Sequence, residues 1–397
     1  MPIAYLKSKL SEGVDFTRMD KSVSYSLICL SHLRWDFVYQ RPQHLLSRFA
    51  QERNVYFFEE PVFSEAPTRL DVSRREDNLF VLVPHISHAD RDSGSVTEIQ
   101  RQLLDGFIAS ENIEDFVVWF YTPMAMDFAA HLEPLATVFD CMDELSAFKF
   151  APPELIENEK RLLERADVVF TGGQSLYEAK KDKHANVYAF PSSIDVKHFN
   201  QARAVREEPA DEKIIPHPRF GFCGVIDERL DIELLGKMAR ARPDWHFVMI
   251  GPVVKIADED LPRRENIHYL GGKDYKDLPA YLAAWDVALM PFAMNESTKY
   301  ISPTKTPEYL AAGLPVVSTP IRDVVRPYGE RGLVHIASTA EEFVAACEKA
   351  LAEDTSARLQ TADEFLSHNS WDKTFGEMSR LIAEAIETKP KAARQAV

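Results

Sequence analysis

The sequence predicts an α/β protein made of two open, mostly parallel sheets, each covered by helices on both faces. Three observations predict it. Short apolar runs alternate with amphipathic stretches along the whole chain, the rhythm of strand, crossover helix, strand. At 397 residues the chain is too long for one ordinary core, and two domains are the natural expectation. A polar, charged, proline-bearing stretch at 200–218 interrupts the rhythm once, and it is the candidate linker.

The elements follow in order. Residues 1–21 are mixed and polar and read as a loose arm. SLICLSH (26–32) is a buried strand, followed by a helix that Pro42 opens, with Leu45, Leu46 and Phe49 as its stripe. VYFFEEP (55–61) is the next strand, and 69–84 reads as a strand pair around a polar turn. A helix at 96–109 leads to FVVWFYTP (116–123) and then ATVFDCMD (136–143). A helix at 153–165, VVFTGG (168–173), a helix from Ser175 and NVYAFP (186–191) complete the first half, residues 22–199. The second half, 219–369, restarts with RFGFCGV (219–225) and a helix from Asp231. HFVMIG (246–251), NIHYLG (266–271), a helix over 277–285 and DVALMPF (286–292) follow. After the stretch 295–319 come LVHIAS (333–338) and a helix over 339–351. A last helix, 370–388, starts on Ser370 as N-cap, and the tail 389–397 reads as disordered.

Composition narrows the function. The net charge is −16, from 62 acidic and 46 basic residues, which argues against a nucleic-acid binder. Cys29, Cys141, Cys223 and Cys347 lie far apart and read as buried free thiols of a reducing compartment. No leader and no membrane-length apolar run is visible, so a cytoplasmic protein is expected.

The chemistry concentrates in NESTKYISPTKTPEYLAAGLPVVST, residues 295–319. It reads as loop, short helix over 307–312, glycine stop and buried strand. Thr306 suits the N-cap, Pro307 the first helical position and Gly313 a left-handed C-terminal cap. Ser302 and Thr304 supply hydrogen-bonding side chains in the loop. Free N–H groups at the helix start attract anions, and Lys305 adds a cation there. Glu308 is an acceptor-only carboxylate that suits a pair of vicinal hydroxyls. Taken alone, the segment reads first as a short packing helix with a solvated Lys and Glu.

PTKTPEYLAAGLPVVST resembles the donor-site motif of GT-B glycosyltransferases, P-x-K-x-x-E-Y-L-A-x-G-x-P-V-V. The resemblance implies two Rossmann-like doubly wound domains facing a central cleft, with the last helix crossing back to the first domain. It implies Lys305 at the donor diphosphate and Glu308 at the ribose. Many retaining members carry another Glu eight residues earlier, where this chain has Tyr300. In GFCGVIDERLD (221–231) the same resemblance puts Gly224 beside the donor phosphates, with Arg229 to help neutralise them. An Arg229 paired with a neighbouring acid is the plain alternative. NIHYLGG resembles the nucleobase side, so Tyr269, Leu270 and Gly271 would present backbone groups to the base.

FDCMDELSAF (139–148) puts Asp140 and Asp143 at a strand end. Either can cap a turn. Asp143, nearer the loop, is the candidate general base toward an acceptor hydroxyl. WDFVYQRPQHLL (35–46) occupies the acceptor place of the resemblance. Trp35 and Tyr39 would stack on a sugar, and Gln40, Arg41 and His44 would bind hydroxyls or a lipid diphosphate. Asp90-Arg91-Asp92 and Asp258-Glu259-Asp260 sit in polar loops rather than at strand ends, so no metal site and no cofactor is expected. The expected function is metal-independent glycosyl transfer in bacterial cell-surface polysaccharide synthesis. The donor is a nucleoside diphosphate sugar, UDP- ahead of GDP-, and the acceptor a glycan or lipid-linked glycan. Peripheral contact with the inner face of the membrane stays open. So do two other readings: a non-catalytic binding module and a sugar-nucleotide epimerase on this fold.

Overall fold

The computed structural model describes residues 25–389; the expected arm at 1–21 and all of the tail but Lys389 lie outside them. The first sheet contains β1 (Ser26–Leu30), β2 (Val55–Phe58), β3 (Val62–Ser64), β4 (Arg69–Glu76), β5 (Leu79–Ser87), β6 (Phe116–Phe120), β7 (Ala136–Cys141), β8 (Val168–Thr171) and β9 (Val187–Ala189). Its order is β3-β5-β2-β1-β6-β7-β8-β9, parallel throughout, with β4 added antiparallel to β5. The second sheet contains β10 (Arg219–Cys223), β11 (His246–Ile250), β12 (Ile267–Gly271), β13 (Val287–Met290), β14 (Val316–Ser318) and β15 (His335–Ile336). It runs β12-β11-β10-β13-β14-β15, all parallel.

Strands such as VYFF, FVVWF and HFVMI are buried almost end to end because helices cover both faces. In each sheet the strand order reverses once, between β1 and β6 and between β10 and β13. Loops leaving the carboxyl ends at such points diverge and leave a crevice. The two crevices face each other.

Contacts across the halves close the cleft from several sides. Asp323 accepts from the Ser175 N–H at the start of the helix Gln174–Lys180, and Arg322 and Arg326 pair with Glu178. The Ser192 hydroxyl donates to the Ser302 carbonyl at 3.0 Å. The helix Trp371–Thr388 buries Trp371, Met378, Leu381, Ile382 and Ile386 in the core of the first half. Ser370 caps it through the Lys373 N–H.

Residues 200–218 are no free tether. Ala202, Glu212 and Ile215 are buried, the Trp285 indole N–H donates to Glu212 at 2.6 Å, and Asp211 takes Lys273 and the Tyr281 hydroxyl. A further helix, Thr355–Leu366, appears where no element was expected. Among the described residues no helix is long and apolar enough to cross a membrane.

Candidate active site

The organising helix is Lys305–Ala312, packed under β10 and β13. Thr306 is fully buried inside it, which corrects the expected N-cap; Thr304 holds that place, in helical conformation and without a cap bond. Gly313 takes φ +90°, the left-handed stop the sequence demanded. Tyr309 pins the helix, its hydroxyl accepting the Cys223 N–H at the end of β10 at 2.8 Å. That bond fixes Lys305 and Glu308 against the loop after β10.

A cavity of about 180 Å³ lies between the halves at this point. The second half contributes Gly224, Arg229, Ser302, Thr304, Lys305 and Glu308 to its wall. Opposite them the first half contributes Gln40, Arg41, Met142 and Asp143. Lys305 lies close over Gly224: a Cβ there would sit 2.1 Å from Lys305 Cε and 2.6 Å from Nζ. The lysine therefore lies across the glycine, with its ammonium beside the loop's backbone. Burial raises the Glu308 carboxyl, with Lys305 and Thr304 opposing.

Asp140 and Asp143 have parted ways. Asp140 is fully buried and holds Arg41 through three contacts of 2.8–3.2 Å. Arg41 also donates to the Phe190 carbonyl at 2.8 Å, so although it edges the cavity its guanidinium is committed to structure. Asp143 keeps its carboxylate on the cavity. Burial pushes its pKa up to about 6, while Arg229 and Arg41 pull the other way.

Two further expectations need correcting, Trp35 and His44, and the geometry adds to two others. Trp35 is 8% exposed and packs edge-on against Phe57 in the core, so it offers no face to a sugar. His44 is buried and stacked on Trp371 at 4.5 Å, and burial takes its pKa to about 3. It fastens the last helix instead of binding an acceptor. Tyr269, Leu270 and Gly271 belong to the outermost strand and stand outside the cavity wall. The Gly271 carbonyl is taken by the Gly251 N–H, and the Tyr269 hydroxyl donates to Pro262. Arg229, which does reach the cavity, is clamped bidentately by Asp227 at 2.7–3.1 Å. The aromatic groups the structure puts there instead are Tyr275, stacked between Tyr39 and His198, and Phe222 and Phe292. Tyr275 lies only a few residues beyond the expected base-side segment. Its place after a glycine pair was the available signal.

Residues 217–353 match the family model for group 1 glycosyl transferases. A Bacillus subtilis (strain 168) protein named as a teichuronic acid biosynthesis glycosyltransferase, TuaH, is 25% identical over 303 residues, 69% of each chain. Among solved structures, the sucrose-phosphate synthase of Thermosynechococcus elongatus superposes with TM-score 0.70 at 14% identity, over 92% of this chain and 100% of that one. The alpha,alpha-trehalose 6-phosphate synthase of Burkholderia multivorans gives 0.63 at 13%, over 92% and 98%. The last two likenesses bear on fold alone. With the cleft between two parallel sheets and the matched second half, the chain has the two-sheet plan of a GT-B glycosyltransferase, and its second half is similar to a group 1 glycosyl transferase domain.

Proposed function

We propose that the protein transfers a sugar from a UDP-sugar onto a glycan or lipid-linked acceptor during synthesis of a bacterial cell-surface polysaccharide. The observation that carries this reading is the convergence of Lys305, Glu308 and the Gly224 loop with Asp143 on one interdomain cavity. Lys305 and the N–H groups at the helix start stabilise the departing diphosphate, where charge develops in the transition state. Glu308 accepts from the ribose hydroxyls. Asp143, opposite, takes the proton of the attacking hydroxyl. Tyr300, eight residues before Glu308, packs against the core of the first half, which fits inversion with Asp143 as base. The name of the Bacillus relative supports the polysaccharide acceptor. The reaction runs in the cytoplasm, with peripheral contact at the inner face of the membrane bringing the enzyme to a lipid-linked chain.

Release of UDP, followed with and without lipid-linked glycan acceptor, tests the reading. Acceptor-dependent release is expected. Sugar isomerisation without transfer would instead indicate an epimerase, and binding without turnover a receptor. Turnover is expected to survive EDTA, and loss restored by Mg²⁺ or Mn²⁺ would show that a metal takes part.

A further inference from the structure

Beside Arg229, among residues that do not themselves line the cavity, lies a chemically loaded cluster that none of the roles above uses. Glu228 precedes Arg229 in the loop after β10. Its side chain is 10% exposed, and both carboxylate oxygens are buried without a hydrogen bond from the chain. The nearest cation is Lys255, whose Nζ stands 3.9 Å from Oε1. A buried acceptor left unmade costs about 1–3 kcal/mol, and more when charged. Lys255 is itself held at φ +63°, a left-handed backbone that residues other than glycine seldom adopt. Such strain gathers at ligand sites. Its ammonium also lies 5.2 Å from the Phe148 ring of the other half. His32, at the end of β1, faces the same charge. Burial first, and Lys255 second, bring its pKa down to about 4, so the ring is neutral at pH 7. A backbone hydrogen bond to Tyr121 occupies one side of the ring, and Nδ1 is buried without a partner. A neutral imidazole that donates through one nitrogen accepts through the other.

The direction of the donor places this corner. Glu308, Tyr275, Leu278, Arg229 and Asp143 all line the cavity with Lys305; in the donor reading the first three take the nucleoside and the last two lie toward the reacting centre. We infer that Glu228, Lys255 and His32 form a subsite that reads the hydroxyls of the transferred sugar. The inference rests on the donor reading above. Two sugar hydroxyls donate to Glu228 and His32, and Lys255 donates to a hydroxyl oxygen. A site built to bond a hydroxyl discriminates strongly, because an analogue lacking it leaves buried groups unpaired.

Calorimetry on the full chain tests this with UDP, UDP-glucose, UDP-galactose, UDP-N-acetylglucosamine and UDP-glucuronic acid. Glu228→Gln and Lys255→Gly are the variants. Glycine accepts φ +63° without strain, so the second keeps the fold if the first does not. Both should weaken at least one UDP-sugar by roughly fivefold or more while UDP stays within about twofold, the size of one lost hydrogen bond. Equal losses for UDP and UDP-sugars, no loss in Lys255→Gly, or a wild type that binds UDP but no UDP-sugar would each overturn the subsite. A wild type that binds neither UDP nor any UDP-sugar would remove the donor reading first, and the subsite with it.

Discussion

Asp140 and Asp143 are three residues apart, yet their neighbours give them opposite work. Asp140 meets Arg41 where both are shut from water, 0% and 3% exposed. Breaking such a pair strands a buried charge, so Arg41→Ala should cost about 3–5 kcal/mol of stability in urea titration, and a loss under about 1 would show the pair to be dispensable. Asp143 faces the cavity with a pKa near 6. As a base it works when ionised, so kcat/KM should fall as pH drops through about 6, and Asp143→Asn should lower kcat by about 10²–10⁴ with donor affinity kept. A kcat within a few-fold of wild type at saturating substrates would move the base elsewhere. That Asp143, not Asp140, keeps the cavity was legible from its place beyond the strand run. The fate of Trp35 and His44 was not, because Phe57 and Trp371, which claim them, come from distant stretches of chain.

At the scale of elements, the helix Lys305–Ala312 was legible because its signals are local. Proline, lysine, glutamate and glycine stand at fixed offsets on one short helix, and Gly313 ends it as its backbone freedom requires. Its expected cap was misplaced, since Thr306 is drawn into the core beside Met290. The helix Thr355–Leu366 was invisible for a related reason. It buries only Ala362 and Leu366, too thin a stripe to mark a period. Strand β12 is outermost in its sheet and none of its residues is in the cavity wall, which Tyr275 and Leu278 just beyond it do line. The helix and the Gly224 loop should act as one phosphate grip. Lys305→Ala should weaken UDP binding by about 1.5–3 kcal/mol, the worth of a charge-assisted bond. Gly224→Ala should mimic part of that loss, because the added methyl displaces the ammonium instead of removing it. Normal UDP affinity in both folded variants, by calorimetry, would place the diphosphate elsewhere.

For the molecule as a whole, the two-sheet plan followed from the alternation of strands and helices, and the stretch at 200–218 read as the linker because its letters are polar and charged. Its polar groups are used inward instead. Arg219 gathers Glu208 and the carbonyls of Ile215 and Ala284, and Glu212 is wholly enclosed beneath the Trp285 indole. Burial carries the Glu212 carboxyl up to about 7, with the Trp285 bond and then Arg219 working against it. In the unfolded chain a glutamate titrates near its ordinary value of about 4.3, so the folded state holds this proton more tightly. The contribution to stability is complete below the unfolded pKa and is lost as pH rises through the folded one. Unfolding measured by urea at pH values from about 4.5 to 8 should therefore show stability from this group declining up to about pH 7 and levelling above it. Glu212→Gln keeps an acceptor for Trp285 and removes the titration. The difference between wild type and variant should follow that curve, and a difference that is flat with pH, in variants that unfold in one step, would show that Glu212 keeps an ordinary pKa in the fold.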